Sequence, residues 1–296
     1  MPSFIPVRRS QVFYQIKTPL YIKKDNGEFI LYKAENTRID SGRFDQERCP
    51  QLYIPEHIKA AAYEELHNNL KNALQKRIEA NDTRSVKAAL NEIVNESFHE
   101  PLRDNLQILP ETLDIIYQEY SYSTKLLRNI SNFQYGGTTV VEHSVNAMLL
   151  VLNYCLFHGF REEDTKRYSL GALLHDVGLT KIPGPIVQAN KKLTDSEFAI
   201  YKTHTALGYN IIKANMEAGA IIAEGALEHH ERLDGSGFPR GISDLSFEGR
   251  LIGIIDSFDQ LTNSEKRHRK KVEPFGALKR IQHEILTEGK FDKEIF

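Results

Sequence analysis

The stretch GALLHDVGLTKIP, from Gly171 to Pro183, places His175 and Asp176 side by side at the end of an apolar run and just before a glycine. Adjacent residues on a helix point about 100° apart, so one such pair cannot fill a coordination shell and its partners must come from other helices. The sequence offers them at intervals: His143 in VVEHSVNAM, His204 in YKTHTALG, the doublet His229 and His230 in LEHHERLDGSGFP, and Asp256 in GIIDSFDQL. Five histidines and two carboxylates are too many for one tetrahedral ion but suit two ions sharing a bridging carboxylate. A chain built to satisfy them has to converge several helices on one point.

The local patterns supply those helices. Thr139 and Glu142 have the spacing of a capping box and predict a helix running to about Phe157, with His143 in its first turn; the helix dipole there favours a neutral ring. A second helix over 162–177 brings His175 and Asp176 to its C-terminal end. Thr194 and Glu197 repeat the capping-box spacing and predict a helix carrying His204 about two turns later. A helix over 217–230 ends at His229-His230, before the glycines of DGSGFP. The segment 247–262 is apolar on most sides, yet Asp256 and Asp259 lie inside it. Burying an unpartnered carboxylate costs several kcal/mol, which a metal on Asp256 would remove. For Asp259 a hydrogen bond to a metal ligand is the expected role.

The N-terminal part reads differently. QVFYQI, PLYIKK and GEFILYK are short, aromatic and branched, and Asp25-Asn26-Gly27 between the last two signals a hairpin. From Pro55, apolar residues at Tyr63, Leu66, Leu70, Leu74 and Ile78 predict a helix, followed by others over 84–99 and 111–131. The expected organisation is a small β-rich domain over 1–54, a helical linker over 55–133 and an all-helical bundle over 134–296. The fold class is therefore mainly α.

With 38 basic and 40 acidic residues, the chain shows no bias toward a nucleic-acid polymer. Two cysteines, Cys49 and Cys155, give no disulfide framework and fit a reducing compartment. No uninterrupted apolar run approaches the roughly 20 residues of a membrane span, and no signal-peptide profile opens the chain, so a cytoplasmic protein without membrane attachment is expected.

From about Tyr135 onward, the ordered set EHSVNAM, HDVGLTKIP, KKLTDSEF up to HTALG, HHERLDGSGFP, RLIGIIDSFDQLT and KFDKEIF resembles the HD superfamily, and within it the HD-GYP family of cyclic dinucleotide phosphodiesterases. Carried over position by position, the resemblance implies that His143, His175, Asp176, His204, His229, His230 and Asp256 bind two divalent metal ions, with Asp176 as the bridge. Iron is the first expectation, manganese or zinc the alternatives. It also implies hydrolysis of cyclic di-GMP or a related dinucleotide by metal-activated water, in second-messenger signalling with signalling proteins as partners and the β-rich domain as a regulatory module.

Three departures modify this picture. Phe238 stands where the family has tyrosine, which removes a hydroxyl. Leu179 replaces the lysine after His-Asp-x-Gly; Lys181, two residues on, is the candidate to supply that cation, and it joins Asp176 as an expected catalytic residue. Thr139 stands where members with a third metal carry glutamate, which favours two ions. On the substrate side the resemblance implies Asp234, Gly235, Gly237 and Phe238, with Asp234 fixing the turn, and Lys266 and Arg269 pairing with phosphates. The departures keep two other readings open: a cyclic di-GMP receptor with little activity, and a phosphohydrolase of another nucleotide.

Overall fold

The structure is a computed structural model and describes residues 3–39, 50–121, 139–217, 219–263 and 271–296. Lys266, Arg269 and Cys49 lie outside the described residues, as does Tyr135. Two compact units divide after Ala80, inside the segment that the sequence reading treats as a linker.

The first unit, Met1–Ala80, holds four antiparallel strands, β1 (Phe4–Val7), β2 (Leu20–Lys23), β3 (Phe29–Lys33) and β4 (Leu52–Pro55), in the order β1-β4-β2-β3. The β2–β3 hairpin turns where Asn-Gly predicts it. Gly27 takes φ +86°, a left-handed conformation that glycine adopts without steric cost. QVFYQI is not a strand: a 3-10 turn spans Arg9–Tyr14, and the Gln11 side chain accepts from the Arg8 backbone N–H. Local side-chain bonding there outweighs the β preference of the aromatic residues. Pro55 pairs with Phe4 at the end of β4, and helix α1 begins later, at Lys59 (Lys59–Glu79).

Helix α1 belongs to this unit for two reasons. Ala62 packs with Val7, Val12, Leu20, Leu52 and Ile54. Glu65 also accepts hydrogen bonds from the backbone N–H groups of Ile16, Lys17 and Thr18.

The second unit is helical: α2 (Thr83–His99), α3 (Arg103–Leu106), α4 (Ile108–Tyr120), α5 (Val140–Phe157), α6 (Glu162–Leu174), α7 (Gly184–Val187), α8 (Asp195–Lys202), α9 (His204–Asn215), α10 (Gly219–Glu228), α11 (Phe247–Asn263) and α12 (Pro274–Glu288). Its core gathers Ala147, Val151 and Cys155 of α5, Tyr168 and Ala172 of α6, Leu251, Ile252 and Ile254 of α11, and Ala277 and Ile281 of α12. Helix α5 is apolar enough, at a mean hydropathy of 1.4 over 18 residues, to cross a membrane by length and composition. Half of it is buried within this unit. Both capping boxes form as their spacing predicts, Thr139 with Glu142 and Thr194 with Glu197.

One helix predicted as continuous is broken. α8 stops at Lys202 and α9 starts at His204, because Thr203 N–H bonds the Ile200 carbonyl in a tightened turn. His204 Nδ1 takes the Tyr201 carbonyl at 2.6 Å, competing with the helical backbone for that acceptor. His204 thus stands at the head of a helix, where the ring can turn inward.

Candidate metal centre

The seven metal-capable side chains meet in one place. α5 delivers His143, the end of α6 delivers His175 and Asp176, α9 delivers His204, the end of α10 delivers His229 and His230, and α11 delivers Asp256. Close approach is possible because the residue after His-Asp-Val is Gly178: a Cβ there would overlap the His204 carbonyl and lie 2.5 Å from the Gly208 nitrogen.

Each deep ring is oriented by its own helix end. Nδ1 of His175 lies 2.7 Å from the Ala172 carbonyl, and Nδ1 of His229 lies 3.0 Å from that of Ala226, repeating the His204–Tyr201 contact three residues back. A carbonyl only accepts, so each Nδ1 carries the proton and each Nε2 is left with a lone pair. These lone pairs aim at one carboxylate from both sides. Asp176 Oδ1 is 3.3 Å from His204 Nε2 and 3.7 Å from His229 Nε2, while its Oδ2 is 3.5 Å from His175 Nε2 and 3.7 Å from His143 Nε2.

Asp256 spans the same divide. Its Oδ1 lies 2.9 Å from His143 Nε2 and its Oδ2 lies 3.8 Å from His230 Nδ1. Asp259 stands behind, accepting from His143 Nδ1 at 2.7 Å. His175, His204 and His229 are fully buried, whereas the side chains of His143 and His230 keep 14% and 11% exposure and form the open lip.

The electrostatics follow from this crowding. Burial opposes ionisation of Asp176, yet the imidazoles of His175, His204 and His143 gathered around it hold its carboxyl well below the usual range. Asp256 is depressed likewise, against its burial, by the His143 hydrogen bond first and by the nearby His230 ring. Burial, with the neighbouring His230 and His175, drives His229 far below an ordinary imidazole, and burial pulls His230 down to about 3. His143 goes the other way: burial lowers it, but hydrogen bonds to Asp256 and Asp259 raise it well above the ordinary value. The helix dipole, which favours a neutral ring at this position, is outweighed by two carboxylates in contact.

The donor set fits metal ions. Asp176 Oδ1, His204 Nε2 and His229 Nε2 converge as three lone-pair atoms with no proton among them, and Asp176 Oδ1 makes no hydrogen bond although it is buried. His204 and His229 Nε2 stand 3.4 Å apart, and His143 and His175 Nε2 stand 3.1 Å apart. Buried acceptors aimed at one another cost free energy unless a cation lies between them. Two groups of ligand atoms, His204-His229-His230 and His143-His175-Asp176, each fall within 4.8 Å. Nitrogen-rich ligation with carboxylates suits iron, manganese or zinc.

The other expected site residues are placed less centrally. Phe238 packs its ring 4.5 Å from that of His230, at the lip, and its peptide bond to Pro239 is cis. Asp234 accepts from the backbone and hydroxyl of Ser236, which hold its carboxyl below the usual range, and Gly235 follows with φ +77°. Gly237 lies against the backbone of Glu231 and Arg232, leaving no room for a Cβ. Leu179 is buried at 6% exposure, and Lys181 is exposed at the end of a 3-10 turn spanning Val177–Lys181, with no ion pair to a described residue.

Sequence reasoning missed a pair of buried carboxylates beside the doublet. Glu231 accepts from the backbone of Arg240 and Ile242, and Glu228 accepts from the Arg240 guanidinium and Ser246 N–H. Together they clamp the loop that carries Phe238. The available signal was two glutamates flanking two histidines in a glycine-rich context.

The HD domain family profile matches residues 114–295. A cyclic di-GMP phosphodiesterase of Thermotoga maritima is 31% identical over 172 residues, 56% of this chain and 47% of that protein. The cyclic di-GMP phosphodiesterase PA4108 of Pseudomonas aeruginosa is 29% identical over 52% of this chain and 37% of its own length. A 3'3'-cGAMP-specific phosphodiesterase of Vibrio cholerae is 29% identical over 52% of this chain and 36% of its own. The chain thus matches less than half the length of each of these relatives. The fold is shared with Bd1817, an HDG"Y"P protein from Bdellovibrio bacteriovorus, at a TM-score of 0.64 and 18% identity over 99% of this chain and 97% of that one. The chain belongs to the HD domain family.

Proposed function

We propose that this chain is a metal-dependent phosphodiesterase that hydrolyses a cyclic dinucleotide, cyclic di-GMP foremost, at a two-ion centre holding iron, with manganese or zinc as alternatives. The observation that carries the reading is the division of Asp176 between two groups of imidazole lone pairs, Oδ1 toward His204 and His229 and Oδ2 toward His143 and His175. The relatives named as phosphodiesterases of cyclic di-GMP and 3'3'-cGAMP support the substrate class.

His143, His175, His204, His229, His230, Asp176 and Asp256 would hold the ions. Two divalent ions held this way supply Lewis acidity toward a phosphate oxygen and lower the pKa of water toward neutrality. The protein's own part is orientation and access. Asp176 fixes the separation of the two ligand groups, and the backbone carbonyls of Ala172, Tyr201 and Ala226 keep the imidazoles in the ligating tautomer. The less buried His143 and His230, with Phe238 beside the latter, mark the side from which a phosphodiester reaches the centre. We place the reaction in the cytoplasm, from the cysteine usage, with signalling proteins as partners.

The test is to incubate anaerobically purified, metal-quantified protein with cyclic di-GMP and follow product by chromatography. Turnover that depends on bound metal is expected; none at full occupancy overturns the proposal. A second reading, a receptor with little turnover, rests on the buried Leu179 and the exposed Lys181, which leave the expected phosphate-side cation away from the carboxylates. Tight binding of cyclic di-GMP without hydrolysis would select it.

A further inference from the structure

His175, His204 and His229 each have a carbonyl three residues back to fix the ring, and His230 has none. Its Nε2 is buried without a hydrogen bond, and its Nδ1 faces Asp256 Oδ2 across 3.8 Å. The direction of this ring is therefore set by the peptide planes on either side of it. Phe238 N–H holds the plane after it, donating to the His230 carbonyl at 3.1 Å. Arg232 holds the plane before it: Nη1 donates to the His229 carbonyl at 3.0 Å, and also to that of Glu231 at 2.7 Å.

The same guanidinium ties the doublet to two further elements. Its Nη2 donates at 3.3 Å to the hydroxyl of Ser257, the residue after Asp256 on α11, and that hydroxyl donates to the Gly253 carbonyl at 2.8 Å. Gly253 is where α11 meets the doublet, since a Cβ there would lie 2.8 Å from the His229 carbonyl. On its other side the guanidinium stacks 4.6 Å from the centre of the Phe291 ring, and Leu233 N–H donates to the Lys290 carbonyl at 3.0 Å. Phe291 is itself buried in the core with residues of α5, α6, α11 and α12. Among the described residues Arg232 makes no ion pair; its donors go to two carbonyls and a hydroxyl. A planar fork engaged in this way fixes its acceptors relative to one another.

We propose that Arg232 is a positioning residue for the metal centre: seated on Phe291, it holds the His229–His230 peptide at a set distance from α11, so that the His230 ring stays turned toward Asp256. Arg232 acts from behind the ligands and touches neither ion nor substrate. Through it, the segment that follows α12 becomes part of the metal centre. This inference rests on reading the site as a metal centre.

The experiment titrates cobalt(II), whose visible absorption reports ligand geometry, into metal-free wild type, Arg232→Met, Arg232→Lys, Phe291→Leu, the Arg232→Met/Phe291→Leu double variant and Arg250→Met. Thermal unfolding of each metal-free protein reports folding. Arg250→Met is the control for loosening alone, because Arg250 pairs with Asp292 on the same segment and makes no hydrogen bond to the doublet. Removing an outer partner of metal ligands weakens binding by about 10- to 100-fold. A loss of that size with shifted absorption bands is expected in Arg232→Met, and a smaller one in Arg232→Lys, whose ammonium lacks the fork. Phe291→Leu should add little in the Arg232→Met background, because Phe291 acts through Arg232. Arg250→Met should unfold at lower temperature yet take cobalt like wild type.

A folded Arg232→Met with wild-type cobalt affinity and bands overturns the inference, as does an equal loss in Arg250→Met. If Arg232→Met does not fold, a folded Arg232→Lys indistinguishable from wild type overturns it instead. A wild type that takes up no cobalt overturns the reading of the site, and this inference with it, before any variant is compared.

Discussion

Gly178 lies against the carbonyl of His204, two residues after Asp176 and across from the head of α9, with no space for a methyl group between them. The contact sets how closely the His175-Asp176 segment can approach the His204 helix. Gly178→Ala must push the two backbones apart. Overpacking of this kind costs about 1–3 kcal/mol, and here the displaced atoms are backbone, which favours the upper end. The variant is expected to unfold at lower temperature without metal and to bind manganese more weakly; elemental analysis beside calorimetry checks both.

Asp176 places an oxygen on each imidazole group, Oδ1 toward His204 and His229 and Oδ2 toward His143 and His175. Asp176→Asn keeps the shape and removes the charge, and an amide nitrogen cannot ligate a cation. Loss of both ions is expected, with turnover below detection, whereas His230→Asn at the lip should cost fewer ions per chain. Metal stoichiometry of the two variants distinguishes a shared ligand from a peripheral one.

The metal-free protein should lose stability in acid through its buried neutral histidines. His230 is held at about 3 by burial, below its unfolded value of roughly 6.5. The unfolded chain therefore binds the extra proton between those limits, and stability falls as pH drops through that window. The slope is about 1.4 kcal/mol per pH unit for each such group. His143, raised above its ordinary value, acts in a separate window: its contribution is complete below pH about 6.5 and is lost as pH rises through the folded value. Denaturant titrations of the chelated protein at pH 6.5, 5.5 and 4.5 should show the acid slope, and His230→Asn should reduce it.

Glu231 satisfies two backbone N–H groups of the Phe238 loop, those of Arg240 and Ile242. Glu231→Ala strands both, at about 1–3 kcal/mol each if they stay buried. Because the loop can open to water instead, faster proteolysis near Arg240 and a higher KM are expected, with metal content largely kept.

Much of the centre was legible because its signals are local. The capping boxes at Thr139 and Thr194 span only four residues each, and the metal-capable residues stand in motifs whose order is unusual enough to suggest one site. Asp259 could be read as a partner of a ligand because a second carboxylate in an apolar helix has few other uses, and it bonds His143. What escaped depends on side-chain hydrogen bonds that a pattern of apolar and polar residues does not show. The break at Thr203 is decided by a histidine side chain competing for a carbonyl, which helical periodicity does not register. QVFYQI looks like a strand until the Gln11 side chain is seen to hold the Arg8 N–H.

His175, His204 and His229 each tie Nδ1 to a carbonyl three residues earlier in their own chain segment. Three catches of one design, each closed within a single turn, make ring direction a property of the segment rather than of the assembled bundle. Folding then has only to bring the segments to the right distance, and an arriving ion meets rings that need not flip. Metal uptake by the folded, stripped protein should accordingly run as one bimolecular phase, its rate proportional to metal concentration in stopped-flow, with no slow rearrangement behind it.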